Sequence, residues 1–298
     1  MKVSVQLNSQ YFAEKSYNNI SEICTRITGL ETVDGFSDDA DIILFSGVPK
    51  IGKNTKFIQS ISAGVNHLNF NNIPENVIIA SNADGYSESV AETAMGLLLA
   101  FARKICISNN EIHKGRYLRA KADNYLTLYG KKLGILGYGG IGRETARLAH
   151  AFGMEILAYS RSYVPDDFSR FMDIDELITS SDFLLISLPL NKFTKNMVNK
   201  TLLDQFRGFA LINVGRGEIV DHDSMISYLN QNRKFFYLTD VWWNERNITE
   251  KIPDNVIITP HIAGISDNIT FPLERACKNI KNYMEGHPEN IVKRDDYI

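Results

Sequence analysis

The sequence predicts an α/β protein in two parallel-sheet domains with a cleft between them. Three observations carry this. Short apolar runs alternate with segments of helical spacing, the pattern of parallel sheets covered by helices on both faces. The runs fall into two successive blocks. A glycine-rich turn, set between a strand-like and a helix-like segment, opens the second block only.

In the first block, strands are expected at Val3–Leu7, Asp41–Phe45, Phe57–Ser62 and Val77–Ser81. Between the blocks lies the stretch Ser89 to Gly115, in which Ser89 and Glu92 are spaced as a capping box, so a helix is expected to start there and continue for about six turns. Its first half is nearly all apolar, which suits a helix passing between domains or against a partner subunit. Strands of the second block are expected at Leu133–Gly137, Glu155–Tyr159, Phe183–Leu188, Ala210–Val214, Phe236–Asp240 and Val256–Thr259. A helix over Phe271–Glu285 then carries the chain back to the first block. The expected domains are 1–88 with 267–298, binding substrate, and 89–266, binding a dinucleotide.

The glycine turn accounts for that second assignment. Leu133–Leu136 reads as a buried strand, interrupted by Gly137-Tyr138-Gly139-Gly140-Ile141-Gly142, after which Ile141, Thr145, Leu148, Ala149 and Phe152 share one helical face. The first glycine permits the tight bend, the second lets a pyrophosphate approach the backbone, and the third lets helix and strand pack closely. The helix N-terminus adds N–H donors and partial positive charge. Both blocks therefore read as Rossmann-like or flavodoxin-like. In such folds an acid at the end of the second strand bonds the ribose 2′-hydroxyl. Here Ser160-Arg161-Ser162 stands in its place. An arginine with two hydroxyls suits a 2′-phosphate, so NADP(H) is favoured, and NAD(H) remains possible.

Composition narrows the function class. The 298 residues are 44% hydrophobic and 22% charged, with formal net charge −3, which calls for neither nucleic acid nor an anionic membrane. No apolar run approaches the roughly 20 residues needed to span a bilayer. The N-terminus reads as a first strand rather than a signal peptide, and the expected compartment is the cytoplasm. The three cysteines, Cys24, Cys106 and Cys277, are scattered and expected to be buried thiols, with no disulfide and no metal site.

Among the six histidines, His113 and His150 fall on helices, His287 in a tail and His222 in a helix-entry turn. His261 differs, because it follows the strand-like VIITP, and ligands of open α/β sheets sit at the carboxyl ends of strands. Arg216, in Asn213-Val214-Gly215-Arg216-Gly217, has the same placement, as does an acidic pair, Asp240 and Glu245. An arginine, an acid and a histidine on one rim suit carbonyl reduction. Histidinium can donate a proton to the carbonyl oxygen, a carboxylate favours the charged imidazole, and arginine can hold a 2-keto acid.

Taken together, the motifs resemble the D-isomer-specific 2-hydroxyacid dehydrogenases, a family that includes phosphoglycerate dehydrogenases and glyoxylate/hydroxypyruvate reductases. The resemblance runs from Val3 to Gly286 through Ser62-Ala63-Gly64-Val65-Asn66-His67, Val90-Ala91-Glu92, GYGGIG, Leu188-Pro189-Leu190 with Thr194, NVGRG, Asp240-Val241 and Thr259-Pro260-His261-Ile262-Ala263-Gly264. It implies NAD(P)-dependent reduction of a small 2-keto acid to the D-2-hydroxy acid, and the reverse oxidation. It further implies Arg216 as substrate-binding arginine, His261 as acid/base, Glu245 as the carboxylate orienting it, and Asp240 near the nicotinamide. Ala63, Gly64 and Val65 match a loop that receives the substrate carboxylate. Leu188, Pro189, Thr194, Val214, Gly215 and Gly264 match cofactor-side positions, and His67 a structural place in its loop. A homodimer through the dinucleotide-binding domain is also implied.

The chain departs from the family pattern in places. Phe-Glu-Pro-Glu is replaced by Trp242-Trp243-Asn244-Glu245, and Gly140 stands where relatives often carry arginine. Relatives using NADH carry aspartate at the Ser160 position, which agrees with NADP(H). Ser46 takes the place of an arginine that phosphoglycerate dehydrogenases tend to have, with Lys50 nearby, and the chain stops before any C-terminal regulatory domain. Glyoxylate or hydroxypyruvate is therefore the favoured substrate, and phosphoglycerate dehydrogenase activity the alternative. A non-enzymatic, nucleotide-sensing corepressor is the second alternative.

Overall fold

In the computed structural model, which describes residues 1–7, 20–117, 125–161, 166–245, 247–268 and 270–297, the chain divides into two units, Met1–Tyr86 with Ile265–Ile298 and Ser87–Gly264. The first unit contains β1 (Lys2–Gln6), α1 (Ile20–Thr28), β2 (Glu31–Asp34), β3 (Ile42–Phe45), β4 (Phe57–Ser60), β5 (Ile78–Ala80) and a return helix, Thr270–Met284. Its strands form one parallel sheet in the order β2-β1-β3-β4-β5. Successive side chains of a strand point to opposite faces. Accordingly Ile42 and Leu44 pack with α1 and the return helix, whereas Ile43 and Phe45 pack with Val65, Leu68 and Ile79 on the other side. Phe57 stacks on Tyr283 of the return helix, with centroids 4.2 Å apart.

The second unit begins with α2 (Ser87–Ala102) and α3 (Ile105–His113), then β6 (Lys132–Leu136), α4 (Gly140–Ala151), β7 (Glu155–Tyr159) and β8 (Ser169–Phe171). It continues with α5 (Ile174–Ser180), β9 (Phe183–Ile186), α6 (Lys200–Gln205), β10 (Ala210–Asn213), α7 (His222–Gln231), β11 (Phe236–Thr239) and β12 (Val256–Ile258). Among the described residues its sheet is parallel, in the order β12-β11-β10-β9-β6-β7-β8. Strands β7 and β8 are added on one side of β6 and β9 to β12 on the other, so the strand order switches between β6 and β9. That is the topological switch point at which open α/β sheets take ligands.

The structure corrects three expectations about elements. Strands β2 and β8 were not foreseen, because both are edge strands of a few residues with no apolar run: Glu31-Thr32-Val33-Asp34 and Ser169-Arg170-Phe171. The helix expected from Ser89 begins at Ser87, so Ser89 lies inside its first turn and is not its cap. It also does not continue unbroken for six turns, but ends at Ala102. Lys104 adopts a left-handed conformation, φ 56°, which ends one helix and starts another. Helix α2 packs on α4 and on the β10–β12 side of its own sheet, burying Val90, Ala94, Leu97, Leu98 and Phe101. Helix α3 buries none of its residues, so Cys106 is exposed, unlike the buried Cys24 and Cys277.

Glycine is required where α4 meets β6. A β-carbon on Gly142 would lie 2.2 Å from the Gly137 carbonyl oxygen, whereas one on Gly139 would meet nothing within 4 Å. Gly142→Ala is therefore expected to destabilise the second unit by about 1–3 kcal/mol, the usual cost of overpacking. Gly139→Ala should leave the melting transition close to that of the wild type. Scanning calorimetry of both variants checks this, and equal transitions for the two would contradict it.

Candidate active site

The site begins at the end of β6. Gly137, with φ 99°, turns the chain sharply, donates its N–H to the Tyr159 carbonyl at 2.9 Å and accepts from Ser187 Oγ at 2.7 Å. Gly139 caps α4 without a side chain, and the first intrahelical bond after it runs from the Arg143 N–H to the Gly139 carbonyl at 2.9 Å. The N–H groups of Gly140, Ile141 and Gly142 precede that bond. With the open space over Gly139, they form a cradle that fits a pyrophosphate. These residues fit a dinucleotide.

Not every expected contact faces this cradle. The Tyr138 side chain points inward, 2% exposed, with its hydroxyl bonded to Asp166 and Ser169 and its ring edge-on to Phe171. Burial, reinforced by the Asp166 carboxylate, raises its pKa. Tyr138 thus fastens the glycine turn to β8, and only its backbone is placed for a ligand. Thr194 is likewise turned to the fold: its hydroxyl donates to the Pro189 carbonyl at 2.6 Å and accepts from the Asn191 N–H at 2.9 Å. Leu188 lies against Gly137, and a β-carbon on Gly215 would come 2.9 Å from the Leu188 carbonyl, so the β9 and β10 ends are in close contact. Val214 is buried there.

At the end of β7, Ser160 is half-buried and Arg161 exposed, while Ser162 lies outside the described residues. Ser160 borders a cavity of about 500 Å³ that Arg170, Asp173 and Glu176 also line. Arg170 is not singled out by the sequence because it sits on β8, whose three residues carry no strand pattern.

The charged rim lies at the ends of β10, β11 and β12. His261 Nδ1 and Glu245 Oε2 are 2.8 Å apart. Burial would raise the Glu245 pKa, but the bond and charge of His261, the Trp242 N–H at 3.3 Å and the charge of Arg216 lower it on balance. Arg216 is half-buried and its Nη1 donates to the Gly215 carbonyl at 2.8 Å. Both partners of the acid–imidazole pair sit at left-handed bends: Asn244, just before Glu245, has φ 53° and His261 itself φ 54°. Such a backbone is disfavoured for residues other than glycine and persists where surroundings impose it. Asp240 imposes it on His261. Its carboxylate, 2% exposed, accepts from the Ile262 N–H at 3.0 Å, the Ala263 N–H at 2.8 Å and the Thr259 hydroxyl. Its carbonyl accepts the His261 N–H at 2.8 Å. Asp240, expected near the nicotinamide, thus directs its carboxylate to the backbone of the His261 loop, which continues to the half-buried Gly264.

In the first unit, Ala63 and Gly64 are half-buried in the loop after β4, anchored by the buried Val65. His67 Nε2 donates to the Gly47 carbonyl at 2.9 Å, a loop-fastening contact. Ser46 is buried at the end of β3. Among the described residues there is no group of three or more His, Cys, Asp or Glu able to hold a metal ion, and no helix is long and apolar enough to cross a membrane.

Residues 95–263 match the family model described as D-isomer specific 2-hydroxyacid dehydrogenase, NAD binding domain. A hydroxypyruvate reductase of Thermotoga maritima is 32% identical over 76% of this chain and 78% of its own length. A glyoxylate/hydroxypyruvate reductase A of Arabidopsis thaliana is 31% identical over 85% of this chain and 82% of its own. Among solved structures, a glycerate dehydrogenase related protein from Thermoplasma acidophilum is 39% identical with a TM-score of 0.70, covering 95% of this chain and 100% of that one.

The depressed Glu245 pKa sets a pH dependence. A carboxyl whose pKa is lowered by folding stabilises the folded state above its unfolded value, and that contribution is lost as pH falls through the folded value. The difference in thermal midpoint between the wild type and Glu245→Gln is therefore expected to shrink as pH falls below the ordinary glutamate value of 4.5. Melting curves across that range test it, and a difference independent of pH would refute it.

Proposed function

The chain belongs to the D-isomer-specific 2-hydroxyacid dehydrogenase family, oxidoreductases of the CH–OH group that use a nicotinamide cofactor, and from that premise we propose a reductase of glyoxylate or hydroxypyruvate that prefers NADPH. The observation that carries the chemistry is the 2.8 Å contact between His261 and Glu245, with the Arg216 charge acting on the same carboxylate. The nicotinamide, when bound, supplies a hydride to the keto carbon. His261 gives a proton from Nε2 to the keto oxygen, so that one hydride and one proton convert C=O to CH–OH. Glu245 holds the opposite nitrogen at 2.8 Å, which keeps the imidazole oriented toward the keto oxygen. Arg216 binds the substrate carboxylate and stabilises charge growing on the carbonyl oxygen. The backbone of Ala63-Gly64-Val65 is assigned to the substrate carboxylate as well. In the oxidative direction a neutral His261 accepts the hydroxyl proton.

Ser160 in place of an acid, with Arg161 after it and Arg170 beside it, supports the preference for a 2′-phosphate. The phosphorylated hydroxy acid is the less favoured substrate, since Ser46 stands where an arginine would be wanted. We assign the homodimer contact to α3, which displays Ile105, Ile107 and Ile112, each at least half exposed.

Initial rates with glyoxylate and hydroxypyruvate, each with NADPH and NADH, test this reading. Higher kcat/KM with NADPH is expected, and no turnover with any of the four pairs would overturn it. His261→Ala should remove turnover, by at least about a hundredfold, while dinucleotide affinity measured by calorimetry is retained. Equal loss of both would make the histidine structural. Light scattering should give twice the 33.7 kDa chain mass, reduced to one chain mass by Ile107→Glu with Ile112→Glu; a wild-type monomer would exclude the dimer.

A further inference from the structure

We propose that Trp242, held at its indole by Glu250, is a positioning residue that sets Glu245 and Arg216 in place, an inference that rests on the roles just given to those two residues. Trp242 is 2% exposed and tied at both ends. Its indole Nε1 donates to Glu250 Oε1 at 2.8 Å, and its backbone N–H donates to Glu245 Oε1 at 3.3 Å. Glu250 is anchored in turn, its Oε2 lying 3.2 Å from Nε2 of His222, the first residue of α7. Trp243 closes the arrangement. Its indole donates to the Val220 carbonyl at 2.7 Å, and its ring lies edge-on to Trp242 at 4.9 Å and to His222 at 4.9 Å.

The tryptophans also touch the arginine loop. A β-carbon on Gly217 would come 2.6 Å from the Trp242 carbonyl and 2.9 Å from the Trp243 nitrogen, so the two backbones are in direct contact. A second route passes through Tyr237, whose ring is 6.2 Å from Trp242 and 5.9 Å from Trp243. The Tyr237 hydroxyl accepts from Asn213 Nδ2 at 2.9 Å. That same amide donates to the Arg216 carbonyl at 3.0 Å, while Asn213 Oδ1 accepts the Gly215 N–H at 3.0 Å. Glu245, on a surface loop with its side chain 38% exposed, does not have its position imposed by burial. The buried indole behind it supplies the constraint, and Glu250 fixes the indole.

The test uses the full chain carrying Glu250→Ala, Glu250→Gln or Trp242→Phe. Glutamine keeps an oxygen acceptor for the indole, alanine removes it, and phenylalanine removes the donor. Loss of alignment at a reacting centre is costly, so the alanine and phenylalanine variants are expected to lose about tenfold in kcat on the 2-keto acid, with dinucleotide affinity unchanged. The glutamine variant is expected to stay near the wild type. Independently of turnover, the Glu245 carboxyl, followed by carbon-13 NMR, should titrate higher in the alanine and phenylalanine variants. The chain has only two tryptophans, so emission of the alanine variant should also shift to the red as the indole meets water. A wild type inactive on every 2-keto acid would sink the catalytic reading, while the carboxyl titration would still decide the positioning. A folded Glu250→Ala with unchanged Glu245 titration and unchanged kcat would overturn the proposal.

Discussion

A parallel sheet delivers the carboxyl end of every strand to the same edge, and the chemistry of the second unit depends on that constraint. Residues distant in sequence, Gly137 after β6, Arg216 after β10, Glu245 after β11 and His261 after β12, come off one edge because each strand pairs in register with its neighbour. No loop has to reach far. The cost is that each of these candidate residues sits on a loop beyond the ladder, where backbone hydrogen bonds must be found elsewhere.

The loop after β12 shows how that need is met. Thr259, His261, Ile262 and Ala263 all bond to Asp240, through its carboxylate or its carbonyl. The buried carboxylate is satisfied by two N–H groups and a hydroxyl, and together with the Asp240 carbonyl it holds the left-handed bend at His261. The acid next along, Glu245, is thereby left to the imidazole. Two acids with the same placement in the sequence thus have different work, one holding the backbone and the other the ring.

Much of this was legible in the residues. Short runs such as Phe183–Ile186 and Ala210–Asn213, nearly all apolar and buried at every residue, read as strands because they alternate with helical segments. The glycine turn was legible because each glycine has a separate steric reason. Edge strands β2 and β8 were not, since an edge strand half in solvent needs no apolar pattern. The break at Lys104 was equally silent, because lysine in a left-handed conformation leaves no mark in composition. At the site, residue types disclosed the histidine, arginine and acids. The family resemblance already divided the roles of Glu245 and Asp240, but only the fold shows that the Asp240 carboxylate bonds the His261 loop and that Tyr138 and Thr194 turn inward, because hydroxyls serve ligands and turns alike.

The two-faced burial of β3 has a consequence for how the first sheet finds its alignment. With Ile42, Ile43, Leu44 and Phe45 all fully buried, a slip of one residue would exchange apolar groups for apolar groups on each face. Hydrophobicity alone therefore discriminates weakly between the correct pairing and a shifted one. The discrimination falls to the polar residue at the strand entrance. Asp41 accepts the Lys2 N–H on its carboxylate at 3.0 Å, returns its own N–H to the Lys2 carbonyl at 3.1 Å, and takes the Lys56 N–H on its carbonyl at 2.8 Å. One aspartate thus acts as the alignment mark for three neighbouring strands, and a frame error there would strand a charge rather than merely rearrange oil.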